Sequence, residues 1–144
     1  MKRCLVIHGP NLNLLGTREK PIYVILPLTE LDKKLVEKGK TLNIEVVSKQ
    51  SNHEGEIVTW IQEVGNLADG LIINPAAYGH TSIAIRDAIA ATNIPTIEIH
   101  MTNISSRELF RRNSIISDVV CGRIEGFGWR SYIYGLEAIS DLIN

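Results

Sequence analysis

Apolar residues gather along the chain in five short runs, Arg3–Ile7, Ile44–Ser48, Gly70–Asn74, Thr96–His100 and Asp118–Ile124, each of strand length. Between them the spacing becomes helical. Leu28, Leu31, Leu35 and Val36 follow an i, i+3, i+7, i+8 pattern that Gly39 would stop. Ile57, Ile61 and Val64 share one helical face behind Ser51-Asn52-His53-Glu54, which has the form of a capping box. A small-residue helix runs from Ile83 to Ala91, and Ser105-Ser106-Arg107-Glu108 has the form of a second capping box. Trp129–Ile143 closes the chain, with Ile133, Leu136, Ile139 and Ile143 on one side.

Strands that alternate with helices, and that are apolar without a clean period of two, belong to a parallel sheet covered on both faces. The pattern therefore predicts a single α/β domain spanning 1–144: a doubly wound, flavodoxin-like five-stranded parallel sheet of order 2-1-3-4-5. No G-x-G-x-x-G follows the first strand, which argues against a dinucleotide-binding half. The irregular Gly16–Pro27 connection, with Arg18, Lys20 and Tyr23, reads as a lid.

Composition narrows the partners. The 144 residues are 44% hydrophobic and 22% charged, enough for one core, and 15 Lys+Arg against 16 Asp+Glu give a formal charge of −1. That balance removes the electrostatic argument for nucleic acid or an anionic membrane but leaves small anions open. Cys4 and Cys121 lie in apolar runs without C-x-x-C spacing, so buried thiols in a reducing compartment are expected rather than a disulfide or zinc site. Met1-Lys2-Arg3 and the apolar residues after it begin like a signal peptide, but Gly9-Pro10-Asn11 ends the run early. No stretch reaches membrane-spanning length. A cytoplasmic protein is expected.

In a doubly wound sheet, ligands bind beyond the carboxyl ends of the strands. After the first strand comes His8-Gly9-Pro10-Asn11-Leu12-Asn13-Leu14-Leu15-Gly16; after the third, Asn74-Pro75-Ala76-Ala77-Tyr78-Gly79-His80-Thr81-Ser82; after the fourth, His100-Met101-Thr102-Asn103. Arg107, Arg111 and Arg112 follow. Amides, histidines and guanidinium groups thus converge on one edge, as a small, oxygen-rich anion requires. Taken singly, Asn-Pro is a turn, a strand-end histidine is a structural group, and Gly126-Phe127-Gly128 is a turn or subunit contact. His53 is assigned to structure.

No Ser or Cys occupies a nucleophile elbow, and the lysines avoid the ends of the third to fifth strands, which leaves proton transfer. Histidine can serve as acid, and Tyr23 as base if a cation, with Arg18 and Lys20 both near it in sequence, depresses its phenol. Moving that phenol from ~10 to near 8 takes about 2 to 3 kcal/mol of preferential phenolate stabilisation. Proton removal coupled to loss of a protonated hydroxyl is a dehydration.

The segments Gly9-Pro10-Asn11-Leu12-Asn13-Leu14-Leu15-Gly16-Thr17-Arg18-Glu19, Gln50-Ser51-Asn52-His53-Glu54-Gly55-Glu56, Ile73-Asn74-Pro75-Ala76-Ala77-Tyr78-Gly79-His80-Thr81-Ser82 and Gly126-Phe127-Gly128 together resemble the type II 3-dehydroquinate dehydratases over essentially the whole chain. The resemblance implies trans elimination of water from 3-dehydroquinate through an enolate, giving 3-dehydroshikimate, with no cofactor and no metal. By motif, Tyr23 would be the base, Arg18 the cation that tunes it and holds the lid, His100 the acid, and Asn11 a stabiliser of the enolate through an ordered water. Asn74, His80, Arg111, Met101 and Thr102 would hold the substrate's hydroxyls and carboxylate. Asp87 would act near a neighbouring subunit's site, in a homo-oligomer, a dodecamer built from trimers.

The chain departs from the family pattern at Val24, where glycine is usual, at Ile25-Leu26-Pro27, at Thr102 in place of serine, and at Arg112-Asn113. Two other classes compete. A non-catalytic flavodoxin-like module would need receiver-type acids or a Ser/Thr-rich phosphate loop after the first strand, where this chain has His8-Gly9. A metallohydrolase built on His53, His80 and His100 with Glu54 or Glu56 would lack the H-E-x-x-H helix.

Overall fold

A computed structural model describes residues 1–16 and 26–144 of the chain. Its strands are β1 (Lys2–His8), β2 (Ile44–Gln50), β3 (Gly70–Asn74), β4 (Thr96–His100) and β5 (Gly122–Glu125). They form one sheet of order β2-β1-β3-β4-β5, and every adjacent pair is parallel. The helices are α1 (Leu28–Thr41), α2 (Glu54–Leu67), α3 (Ile83–Ala91) and α4 (Arg130–Ile143). This is the order and architecture that the hydrophobic pattern predicts.

Alternation along the strands divides the interior in two. Cys4 and Val6 of β1, with Ile72 of β3 and Ile97 and Ile99 of β4, pack under Leu31 and Leu35 of α1 and Leu136 and Ile139 of α4. Leu5 and Ile7, with Leu71 and Ile73, pack on the other face against Ile57, Ile61 and Val64 of α2 and Ile85, Ala88 and Ile89 of α3. Both faces are apolar, which is why the strands read as runs rather than as alternation. Each fully buried leucine or isoleucine contributes about 1.5–3 kcal/mol by removal from water.

Four boundaries differ from the sequence reading. The first helix runs through Gly39 to Thr41, and Asn43, at φ 56, reverses the chain instead. Gly39 is needed for another reason, since a Cβ there would lie 2.6 Å from the Ile44 carbonyl oxygen where β2 crosses the helix. The Ser51–Glu54 capping box does not form: Ser51 Oγ accepts from the His53 N–H at 2.9 Å, and His53, exposed, is an N-cap without a side-chain bond. At 105–108 two short 3-10 turns replace the second box, the first capped by Asn103.

The last strand begins at Gly122, not Asp118, because Ser117–Val119 forms a 3-10 turn. Ser117 Oγ donates to Glu98 and Asp118 pairs with Arg86, which holds the segment off the sheet. Cys121 is consequently exposed, against the expectation that both thiols are buried, whereas Cys4 is buried and its thiol is pushed up to about 12 by that burial.

Candidate active site

Close approach of two strand ends shapes the floor of the site. A Cβ at Gly9 would lie 2.6 Å from the Pro75 carbonyl oxygen, so glycine lets the loops after β1 and β3 touch. The Gly9 N–H donates to the Asn74 carbonyl at 2.8 Å. From there the chain turns up through Asn11 at φ 68, a left-handed conformation that asparagine tolerates. The end of β2 and the loop after it hold it: the Asn11 N–H donates to Asn52 Oδ1 at 3.0 Å, and Gln50 Nε2 donates to the Gly9 carbonyl at 3.1 Å. The Asn11 side chain makes no capping bond and is left for the cleft.

The cleft has a volume of about 170 Å³ and is lined by Asn11, Asn74, His80, His100, Met101, Thr102 and Arg111, together with Arg107 and apolar neighbours. Seven of the ten sequence-predicted site residues therefore meet. Arg18 and Tyr23 lie outside the described residues. Asp87 does not reach this cleft: it is exposed on α3 with its carboxylate 3.5 Å from Arg86.

Each polar group in the cleft has a set orientation. Asn74 Oδ1 accepts from the Ala76 N–H at 3.1 Å and supports a residue at φ 51, so one amide both holds the Asn-Pro turn and lines the cleft. His80 Nδ1 lies 2.9 Å from the Asn113 carbonyl, which can only accept, so that nitrogen is the donor and Nε2 is free to accept. The His80 and His100 rings stack at 6.2 Å.

His100 Nε2 meets Glu98 Oε2 at 2.5 Å, leaving Nδ1 as the nitrogen for proton exchange in the cleft. Glu98 is fully buried on β4 and also accepts from Ser114 and Ser117. Burial pushes its carboxyl up, but bonds from His100, Ser114 and Ser117 and the charge of His100 outweigh this and hold it below the usual carboxylate range. An ionised Glu98 balances the positive charge of a proton-loaded His100.

Sequence reasoning missed Glu98 because Thr-Ile-Glu-Ile-His looked simply like an apolar run. A charge in such a run, two residues before a histidine and so on the same face, was the available signal. Arg107 is one of the three arginines that the sequence sets at this edge, without a role of its own. It lines the cleft with Nη1 3.5 Å from Thr102 Oγ1. The Arg111 Nε sits 2.8 Å from Glu108 Oε2, an opposite-charge contact whose angle is not that of a hydrogen bond. Two guanidinium groups beside one acid make the rim cationic, suited to a carboxylate.

Among the described residues no cluster of His, Cys, Asp or Glu could hold a metal ion. The arrangement offers a carboxylate-backed imidazole, an imidazole acceptor, an amide and two arginines. It can bind a hydroxylated anion and deliver a proton to it.

A family model for dehydroquinase class II matches residues 2–140. The chain is 52% identical over 137 residues to a 3-dehydroquinate dehydratase of Geotalea daltonii, covering 95% of each chain. It is 48% identical over 143 residues to one of Halothermothrix orenii, covering 99% of this chain and 97% of the other. Among solved structures, the type II dehydroquinase of Propionibacterium acnes superposes with a TM-score of 0.94 at 38% identity, over 98% of this chain and 97% of that one. The enzyme from Butyrivibrio crossotus gives 0.92 at 46% identity, over 96% and 97%.

Proposed function

The chain belongs to the dehydroquinase class II family, and from that membership we propose that its cleft holds 3-dehydroquinate with His100 as general acid and Tyr23 as base. The enzyme is a hydro-lyase that dehydrates 3-dehydroquinate, a step of the shikimate pathway.

In the proposed sequence Tyr23, as phenolate beside Arg18, removes the C2 proton and leaves an enolate. Asn11 stabilises that enolate through an ordered water. The departing hydroxyl takes a proton from His100 Nδ1 and leaves as water, so the proton removed and the proton supplied balance over the turnover. Asn74, His80 and Arg111, with Met101 and Thr102, hold the substrate's hydroxyls and carboxylate, and Arg107 joins Arg111 at the carboxylate.

The observation that carries this reading is the buried Glu98 carboxylate on His100 Nε2, inside a cleft that also holds Asn74, His80 and two arginines. A charge-backed imidazole facing a polar cleft is an acid–base group rather than a packing group.

Dehydroshikimate is a conjugated enone, so ultraviolet absorbance follows the reaction. His100→Ala is expected to lower kcat by about two to four orders of magnitude with the fold retained, the usual worth of acid catalysis. A near-normal kcat would remove His100 from the mechanism. All these proton steps fall to side chains, so dialysis against a chelator is expected to leave the rate unchanged.

The subunit is further proposed to assemble in the cytoplasm as a dodecamer of twelve chains built from trimers, with Asp87 placed at a neighbour's cleft. Exposed Ile83, Leu109, Phe110 and Phe127 support an assembly. No helix among the described residues is long and apolar enough to cross a membrane.

A further inference from the structure

Asn74 is tied into a line of buried polar groups that runs away from the cleft. Its Oδ1 takes the Ala76 N–H, and a flipped amide would set two donors against each other, so Nδ2 is the atom that donates to Tyr132 Oη at 3.0 Å. Tyr132 is fully buried on α4, and its hydroxyl lies 2.9 Å from Nδ1 of His8, itself fully buried at the end of β1. His8 Nε2 lies 2.8 Å from Oδ1 of Asp32 on α1, whose side chain is 34% exposed.

Both ends of this line have a fixed polarity. The Asp32 carboxylate only accepts, so in a singly protonated ring His8 Nε2 carries the hydrogen and Nδ1 accepts from Tyr132. The Ala76 N–H only donates, which fixes the Asn74 amide. The bonds then point one way, from Asn74 to Tyr132, to His8, to Asp32. One Nδ2 hydrogen of Asn74 is used, and the other has no partner among the described residues.

We propose that Asp32, His8 and Tyr132 are positioning residues that hold the Asn74 carboxamide with an N–H toward the ligand, so that this point of the cleft selects a substrate oxygen able to accept a hydrogen bond. The inference rests on the reading of Asn74 as a substrate-binding residue. None of the three lines the cleft, and each acts through Asn74. A network that served only to satisfy buried groups would stabilise the fold without moving substrate affinity.

Steady-state kinetics on 3-dehydroquinate separate the two roles. Tyr132→Phe removes the hydroxyl at nearly constant volume and is expected to lower kcat/KM about ten-fold, chiefly through KM, the size of one hydrogen bond whose buried partner is left unpaired. In the Asn74→Ala background the same change should add no further loss. Asp32→Ala should lower kcat/KM by a smaller factor, and Asp32→Asn, whose amide oxygen still accepts from His8, should restore it.

A Tyr132→Phe enzyme with wild-type KM, or losses that multiply in the double variant, would overturn the positioning role. Wild-type kinetics in Asn74→Ala would instead overturn the reading of Asn74 on which it rests. If Tyr132→Phe does not fold, the Asp32 pair decides: equal kinetics for alanine and asparagine overturn the proposal, and rescue by asparagine alone supports it.

Discussion

At Glu98 the cost of burying a charge is outweighed by three hydrogen bonds and a neighbouring imidazole, so its carboxyl titrates below the usual value of 4.5. Because the folded state holds this proton more weakly than the unfolded chain does, Glu98 contributes stability above about pH 4.5, and that contribution is lost as pH falls through its lowered value. Denaturation midpoints measured from pH 7 to pH 3 should therefore fall on the acid side, and Glu98→Gln should flatten that limb. The same variant leaves His100 without its counter-charge and is expected to lower kcat by roughly one to two orders of magnitude. Cys4 provides a second residue-scale test. With its thiol near 12 and no solvent contact, it should resist alkylation at pH 8 until the chain unfolds, as mass spectrometry of labelled peptides would show. The histidines and amides of the site were legible because they end strands, as Asn74 and His100 do, or stand in the loops that follow, as Asn11 and His80 do. Glu98 was not, because a single charge inside an apolar run gives no periodicity to detect, and its partners Ser114 and Ser117 come from a segment whose path only the fold reveals.

Among the helices and strands, apolar runs located every strand, and the boundaries carried the errors. A glycine two residues before a helix end looks like a stop, yet Gly39 is interior and Asn43 makes the reversal. Helix propensity alone would predict that Gly39→Ala stabilises by about 1 kcal/mol. The added Cβ would meet the Ile44 carbonyl oxygen and Val46 Cγ2 at 2.6 Å, and backbone cannot rotate away as a side chain can. The variant is therefore expected to destabilise by about 1–3 kcal/mol, read as a lower Tm in a calorimetric scan. The two capping-box motifs failed for a related reason: the motif specifies what a side chain can reach, not where the helix starts. Helix α3 shows the contrast, where Ser82 Oγ accepts from the Ile85 N–H at 2.9 Å with no glutamate or glutamine at the third position.

For the whole molecule, the proposed assembly has its own measurement. Sedimentation velocity is expected to give one species of twelve chains, and an active monomer would contradict a role for Asp87 at a neighbour's cleft. Periodicity says nothing of the proposed assembly, since exposed Phe110 and Phe127 follow no helical or strand pattern. The division of the interior into two layers bears on inheritance. Leu35 on one side of the sheet and Ile61 on the other share no neighbours across it. Truncating both to alanine should give unfolding energies that add within about 0.5 kcal/mol, whereas Leu35 and Leu136, in one layer, should couple. Two lineages could then rework opposite layers of this sheet, exchange them by recombination, and still recover a folded protein.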